Sequence, residues 1–145
     1  MYPSSSTYTR ERPRQNTVLL VEDELFIREA TRSILENAGF RVLPAEDALV
    51  AMRLFEESKW HIDLVMTDMV LPGRTGQEFG EDVRRRSPEV RVLITSGYGN
   101  AEYATEEPGL HMYFLAKPYS RRELLEKVGE ILEVVSACGA VTRAG

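Results

Sequence analysis

Several short apolar stretches of the sequence lead directly into side chains that can take part in metal or phosphate chemistry. These side chains are Glu22, Asp23, Asp68, Ser96 and Lys117. Carboxylates that lie close together repel one another unless a counter-charge is present. Mg²⁺ can supply that charge, because it binds carboxylate and carbonyl oxygens and commonly bridges them to phosphoryl oxygens. A lysine and a hydroxyl could then hold the remaining oxygens of a phosphoryl group.

Asp68 is the candidate nucleophile of this set. It follows the apolar run 62–67 and comes just before Leu71-Pro72-Gly73, a sequence that turns the backbone sharply. Its carboxylate is therefore expected at the tip of a strand. Since carboxylates are known to form covalent phosphoryl intermediates, we interpret Asp68 as the residue that becomes an aspartyl-phosphate.

Each of these side chains also has an ordinary structural interpretation. An aspartate at a strand end, such as Asp68, commonly forms a turn, and an acidic pair such as Glu22 and Asp23 commonly occupies the first turn of a helix. Ser96 is typical of a turn, and Lys117 of a solvated charge. Their joint occurrence at successive strand ends is what favours a common site.

Strands and helices are predicted to alternate along the chain. The hydrophobic pattern predicts strands over 17–21, 40–43, 62–67, 90–95 and 112–116. It predicts helices over 27–38 with Gly39 as the stop, over 48–55, around Phe79 and Val83, over 101–107, and over 120–135 with a capping box of Ser120 and Glu123. Strict alternation indicates an α/β fold with a parallel sheet and helices on both faces. The carboxyl ends of such strands form a crevice in which the five candidate side chains would meet.

Length and composition restrict the class of protein. The chain has 145 residues, which suits one domain, here 17–135, with a disordered tail at 1–16 and a frayed tail at 136–145. The net charge of -5 gives no general reason to bind nucleic acid or an anionic membrane. The single cysteine, Cys138, cannot form an internal disulfide, and no signal peptide or apolar run of membrane length is present. We expect a cytoplasmic protein.

Longer motifs around the candidate residues match one family. They are Val18-Leu19-Leu20-Val21-Glu22-Asp23-Glu24, Asp68-Met69-Val70-Leu71-Pro72-Gly73-Arg74-Thr75-Gly76, Ile94-Thr95-Ser96-Gly97-Tyr98 and Phe114-Leu115-Ala116-Lys117-Pro118-Tyr119. The sequence over residues 17–135 resembles the receiver domain of two-component response regulators. The resemblance implies a flavodoxin-like sheet of five strands in the order 2-1-3-4-5.

The resemblance also implies roles for the candidate residues. Asp68 would accept a phosphoryl group from a sensor histidine kinase or a histidine phosphotransfer protein, and Lys117 would contact that group. Mg²⁺ would be held by Asp23, Asp68, the backbone carbonyl of Val70, and Glu22 directly or through water. Two further residues would act as the switch and reshape the surface of the fourth helix, fifth strand and fifth helix. These are Ser96, moving towards the phosphate, and Phe114, changing rotamer.

This sequence differs from the family at several of these positions. Glu22 replaces the commoner Asp, so its carboxylate reaches further. Ser96 replaces Thr, and Phe114 replaces a frequent Tyr. Val70 and Tyr98 border the path of the hydrolytic water in the family. An apolar Val70 cannot orient that water and a bulky Tyr98 can shield the phosphate, so we expect slow autodephosphorylation.

Three classes of function are carried forward from the sequence. The first is a stand-alone receiver without its own DNA-binding or kinase domain, a signalling switch that acts by contact with an unidentified target protein, as a monomer or as a phosphorylation-dependent homodimer. The second is an adaptor or dimerisation module that works without phosphate. The third is a Mg²⁺-dependent phosphatase that turns over phosphate esters through an aspartyl-phosphate.

Overall fold

The computed structural model describes residues 15–97 and 108–133, in which one parallel sheet of five strands forms the centre. Numbered in chain order, its strands are β1 (Thr17–Val21), β2 (Arg41–Ala45), β3 (Leu64–Asp68), β6 (Arg91–Ser96) and β7 (Met112–Ala116). Two shorter strands, β4 (Val70–Leu71) and β5 (Arg74–Thr75), pair as an antiparallel hairpin beyond β3. The sheet order is β2-β1-β3-β6-β7. Without the hairpin this is the order 2-1-3-4-5, so the predicted fold is confirmed.

Helices cover both faces of the sheet. They are α1 (Leu25–Asn37), α2 (Ala48–Glu57), α3 (Gly76–Arg86) and α4 (Arg121–Leu132). On one face, buried residues of α2 and α3 pack against the sheet. On the other face, buried residues of α1 and α4 do the same. Among the described segments, no helix combines the length and apolar character needed to cross a membrane.

The buried strand β1 shows why the sequence reads as a continuous apolar run. Leu19 and Val21 pack into the core under α2 and α3, whereas Val18 and Leu20 pack into the core under α1 and α4. Successive side chains of a strand point to opposite faces, so a strand that is covered on both sides needs apolar residues at every position. The same requirement explains the other central strands.

Three helix ends follow the local signals in the sequence. The predicted capping box of α4 is present, with the Glu123 N–H donating to Ser120 Oγ over 3.0 Å. An equivalent capping box at α3 joins Thr75 and Glu78. Helix α1 ends just before Gly39, whose φ of 103° is a conformation that glycine adopts readily.

The observed elements differ from the predicted ones in a few places. Strand β2 runs over Arg41–Ala45, whereas the sequence predicts 40–43, and it thus includes Pro44. This is compatible with an edge strand, since Arg41 and Ala45 bond to the β1 side and the alternate position of Pro44 turns its missing N–H outwards. The predicted helix over 101–107, residues 1–14 of the predicted tail over 1–16, and the predicted tail over 136–145 lie outside the described residues. A 3₁₀ turn at Pro108–Leu110 precedes β7.

The start of helix α3 lies directly against the end of β3. A Cβ added to Gly76 would be 2.0 Å from the backbone oxygen of Asp68, closer than non-bonded atoms can approach. The Gly76 N–H also donates to the carbonyl of Met69 over 2.6 Å. The absence of a side chain at Gly76 therefore allows α3 to hold the backbone that carries Asp68.

Replacing Gly76 by alanine should destabilise the fold, because the methyl group forces α3 away from β3. We expect Gly76→Ala to lower the free energy of unfolding by about 3 kcal/mol, measured by urea unfolding followed by circular dichroism. Gly129→Ala in α4 is the matched control. Nothing lies within 4 Å of its added Cβ, and alanine should stabilise that helix by about 0.5 kcal/mol. Equal stabilities of the two variants would contradict the close contact at Gly76.

Candidate functional site

The carboxyl ends of four strands bring the predicted site residues to one edge of the sheet. Glu22 and Asp23 follow β1, Asp68 ends β3, Ser96 ends β6 and Lys117 follows β7. Backbone hydrogen bonds fix these ends against one another. The N–H of Met69 donates to the Thr95 carbonyl and the N–H of Lys117 donates to the Ser96 carbonyl, each over 2.8 Å.

Lys117 links two of the carboxylates. Its Nζ donates to Asp68 Oδ2 and to Glu22 Oε1, and each distance is 3.0 Å. The other oxygens of these carboxylates accept backbone N–H groups. The N–H of Val70 donates to Asp68 Oδ1 over 3.4 Å, and that of Glu24 donates to Glu22 Oε2 over 3.1 Å. Both side chains are therefore held in place by neighbouring groups.

The three carboxylates form a compact acidic cluster. Glu22, Asp23 and Asp68 each offer an oxygen, and these oxygens lie within 4.8 Å of one another. Glu22 is buried, Asp68 is half-buried and Asp23 is exposed, so the cluster opens to solvent on one side. Oxygen ligands at this spacing, with an open side, suit a hard divalent cation that keeps some of its water.

Burial and charge act in opposite directions on the ionisable groups of the cluster. Burial raises the pKa of Glu22 and outweighs the lowering by the Glu24 N–H and by Lys117. For Lys117 burial alone would lower the pKa, but the hydrogen bonds to Asp68 and Glu22 raise it overall. Lys117 is thus held as a cation, and one ammonium group faces three carboxylates.

Ser96 is buried beside this cluster with an unused hydroxyl. The residue is 1% exposed, and its Oγ has no hydrogen-bond partner in the described part of the chain. A buried hydroxyl without a partner costs free energy unless a ligand group can bond to it. The arrangement suits a site that gains an oxygen-bearing group.

The remaining predicted residues lie at the border of the site or outside the described residues. Val70 starts the hairpin strand β4 and is 60% exposed. Phe114, in the middle of β7, is half-buried and packs against the core under α2 and α3. Tyr98 lies outside the described residues. The Lys117–Pro118 peptide bond is cis.

Sequence reasoning missed a second layer of contacts around the cluster. The hydroxyls of Thr31 in α1 and Tyr119 lie 2.9 Å apart and share a hydrogen bond. Arg28 of α1 donates through Nη1 to the Glu22 carbonyl over 2.8 Å. Burial raises the pKa of Tyr119, which keeps its hydroxyl protonated. The motif around Lys117 includes Tyr119, but nothing in the sequence pairs it with Thr31, 88 residues away.

An apolar groove of about 390 Å³ lies next to the cluster, between α1 and the segment after β7. Phe26, Ile27, Ala30 and Ile34 line it from α1, and Lys117 also borders it. Phe26 is 87% exposed at its rim. The groove and the acidic cluster therefore share Lys117.

Curated relatives of this chain include a kinase and two transcriptional regulators. The sensor kinase CckA of Brucella abortus is 33% identical over 81% of this chain and 12% of its own length. The hydrogenase transcriptional regulatory protein HoxA of Cupriavidus necator is 33% identical over 90% of this chain and 27% of its own. The phosphate regulon transcriptional regulatory protein PhoB of Escherichia coli is 32% identical over 82% and 52%. The chain thus spans about half or less of the length of these relatives.

Solved structures and a family model lead to the same assignment. A response regulator receiver domain protein from Clostridium thermocellum has a TM-score of 0.74 and 26% identity over 81% of this chain and 94% of its own. The receiver domain of the hybrid histidine kinase CckA has a TM-score of 0.68 and 29% identity over 81% and 99%. The family model of the response regulator receiver domain matches residues 18–129. The chain therefore belongs to the response regulator receiver domain family.

Proposed function

We propose that this chain is a phosphorylation-dependent signalling switch that accepts a phosphoryl group on Asp68 from a phosphohistidine. The donor is a sensor histidine kinase or a histidine phosphotransfer protein. The observation that carries the proposal is the setting of Asp68, whose carboxylate bonds to Lys117 and lies next to two further carboxylates at the end of β3. This combination of nucleophile, cation and metal ligands is what phosphoryl transfer requires.

The transfer exchanges one bond for another on phosphorus. A carboxylate oxygen of Asp68 forms the new P–O bond while the P–N bond of the phosphohistidine breaks. The electron pair of that bond stays on the imidazole nitrogen. Lys117 stays charged throughout, because its raised pKa lies above its ordinary value of 10.5, and so it can stabilise the phosphoryl oxygens.

Mg²⁺ fits the acidic cluster. Asp23 and Asp68 would hold it, together with the Val70 carbonyl and with Glu22 directly or through water. When bound it supplies positive charge between the phosphoryl oxygens and the carboxylates. The observed spacing of the carboxylate oxygens, within 4.8 Å, and the excess of carboxylates over ammonium groups support this ligand set.

Ser96 and Phe114 form the switch. The unpartnered hydroxyl of Ser96 would donate to an oxygen of the phosphoryl group, which removes the cost of keeping that hydroxyl buried without a bond. Phe114 is the direct neighbour of Ile94 in the paired strands β6 and β7, two residues from Ser96, so it is close enough to respond. The changed surface includes β7 and α4, which is the fifth predicted helix, and a target protein reads it. Phosphorylation thus shifts the populations of two states.

The groove beside α1 is where the donor protein docks. Its wall carries the exposed Phe26, and Lys117 belongs to both the groove and the cluster. A helix of the donor protein that covers this apolar surface would bring its phosphohistidine next to Asp68. Burial of Phe26 supplies part of the binding free energy.

Incubation with the phosphodonor phosphoramidate and Mg²⁺ tests the acceptor role. We expect intact-mass spectrometry to show a gain of one phosphoryl group, which is lost in Asp68→Asn and when EDTA removes the metal. Asp47→Asn is the matched control, because Asn caps the start of α2 as well as Asp does and the fold stays intact.

The same experiment separates the alternative functions. A folded protein that gains no phosphoryl group from phosphoramidate, acetyl phosphate or a phosphorylated kinase would instead be the phosphate-independent adaptor or dimerisation module. Steady hydrolysis of diverse phosphate esters by the wild-type chain would identify a phosphatase. Either outcome overturns the switch.

Removal of the counter-charge at Lys117 should make the stability of the fold depend on pH. In Lys117→Met the pKa of Glu22 rises further above its ordinary 4.5, so the folded state binds a proton more readily than the unfolded state does. Stability then falls as pH rises from about 4.5 through the folded-state pKa. We expect the variant to lose about 2 kcal/mol relative to wild type at pH 8 and clearly less at pH 5 in metal-free urea unfolding, with partial exposure of Lys117 limiting the loss.

Arg122→Met provides the control for this effect. It breaks an exposed ion pair with Glu126 and should cost less than about 0.5 kcal/mol at both pH values. A loss in Lys117→Met that is equal at pH 5 and pH 8 would show that Lys117 does not offset the cost of burying the charged carboxylate of Glu22.

Val70 and Tyr98 make the phosphorylated form long-lived. The apolar side chain of Val70 cannot orient an attacking water, so we expect a lifetime of minutes or longer in Mg²⁺, measured by the decay of the phosphorylated mass. Val70→Asn provides a polar group at this exposed position and should shorten the lifetime by about tenfold. Leu49→Asn on α2, another exposed apolar residue, should leave it unchanged. A wild-type lifetime of seconds contradicts the proposed role.

A further inference from the structure

A second cavity lies at the amino-terminal end of the sheet, opposite the acidic cluster. It has a volume of about 410 Å³ and is lined by Gln15, Arg41, Lys59, Trp60 and His61, which we call the Trp60 pocket. Gln15 precedes β1, Arg41 begins β2, and the other three residues precede β3. The five-residue strand β1 separates this pocket from Glu22, a distance of about 15 Å along the strand. The proposed phosphorylation chemistry does not use any of these residues.

Two cations of the pocket contact the same aromatic ring. The guanidinium carbon of Arg41 lies 4.1 Å from the centroid of the Trp60 ring, and Lys59 Nζ lies 4.7 Å from it. Attraction to the ring holds each cation in position. Arg41 is fixed further by a hydrogen bond from Nη1 to Thr17 Oγ1 over 3.2 Å.

These two positive charges have no carboxylate in direct contact among the described residues. Neither Arg41 nor Lys59 forms an ion pair with a carboxylate in 15–97 or 108–133. Asp63 lies beside the pocket, with Oδ1 3.8 Å from His61 Nε2 and Oδ2 accepting the Thr17 N–H over 2.8 Å. The pocket therefore presents positioned cations on a chain whose net charge is -5.

We propose that the Trp60 pocket binds an acidic segment of a partner protein, with carboxylates on Arg41 and Lys59 and an apolar side chain against Trp60. Charge complementarity carries the inference, because both cations are available and a guanidinium can hold a carboxylate through two hydrogen bonds. Trp60 is 40% exposed, and tryptophan and arginine dominate the binding energy of many protein interfaces. Gln15, Lys59 and His61 are also exposed, so the ligand runs along an open surface.

Nucleic acid is a less suitable ligand for this surface. A net charge of -5 repels a polyanion as a whole, whereas a short acidic segment of a protein brings only a few charges. Single-stranded nucleic acid also gains much of its affinity by stacking bases on aromatic rings. A base needs a whole face of the ring, and Arg41 and Lys59 already lie over Trp60, whereas a smaller apolar side chain can pack against the exposed part of the ring.

Trp60 is the single tryptophan of the chain, so its fluorescence reports binding at the pocket directly. The full chain is titrated at low salt with a synthetic peptide that repeats the sequence Glu-Glu-Leu. We expect a saturable change in emission that weakens as salt is added. Lys59→Glu reverses one exposed charge without touching the core, and it should weaken peptide binding by about tenfold. Arg122→Glu reverses an exposed charge on α4 and should leave the affinity unchanged.

Three further titrations decide the chemistry of the ligand. A peptide with Gln in place of Glu should bind at least about tenfold more weakly, because the carboxylates are lost. Inorganic phosphate that changes the emission as strongly as the acidic peptide would mean an adventitious ion only, and a single-stranded oligonucleotide that binds more tightly than the peptide would mean a nucleic-acid surface. Either result overturns the proposal, as does an unchanged affinity in Lys59→Glu. Asp68→Asn should bind the peptide normally, which separates this site from the phosphorylation site.

Discussion

The placement of one ammonium group among several carboxylates is the constraint on which the functional end of this molecule depends. Lys117 bonds to Glu22 and Asp68, residues 95 and 49 positions away in the chain, and so connects the ends of β1, β3 and β7. Burial makes the charge of Glu22 unfavourable, and Lys117 offsets part of that cost. The site therefore stays short of positive charge, which is the condition that favours binding of a divalent cation.

The sheet and the helices serve this constraint through close backbone contacts. The register of the paired strands fixes the position of each strand end relative to its neighbours. Helix α3 lies against the backbone of Asp68 at Gly76. Tyr119 and Thr31 share a hydrogen bond that joins the segment after Lys117 to α1. Thr31 on α1 is thus connected through Tyr119 to Lys117, two residues earlier in the chain, and the ammonium group of Lys117 holds Asp68.

Much of the fold and the candidate set of site residues could be predicted from the sequence, because both depend on local patterns. Apolar runs followed by Asp68 or Lys117 predict strand ends, and parallel strands bring their ends together whatever the loop lengths. The capping box at Ser120 is a four-residue signal and was confirmed. The hairpin β4–β5 was missed, since strands of two residues carry no periodicity. The bond between Thr31 and Tyr119 and the contacts of Arg41 with Trp60 were missed because they join distant segments and depend on side-chain positions.

The positions of the charged clusters have a consequence for how this molecule meets other molecules. Acidic groups gather where the strands end, whereas Arg41 and Lys59 lie where the strands begin. These two groups of charges contribute an electric dipole component along the strand direction. A charged partner that diffuses towards it is turned before contact, and added salt weakens this steering as the screening length falls to about 10 Å at 0.1 M. The direction of the strands thus influences how a charged partner is oriented when it first meets this protein.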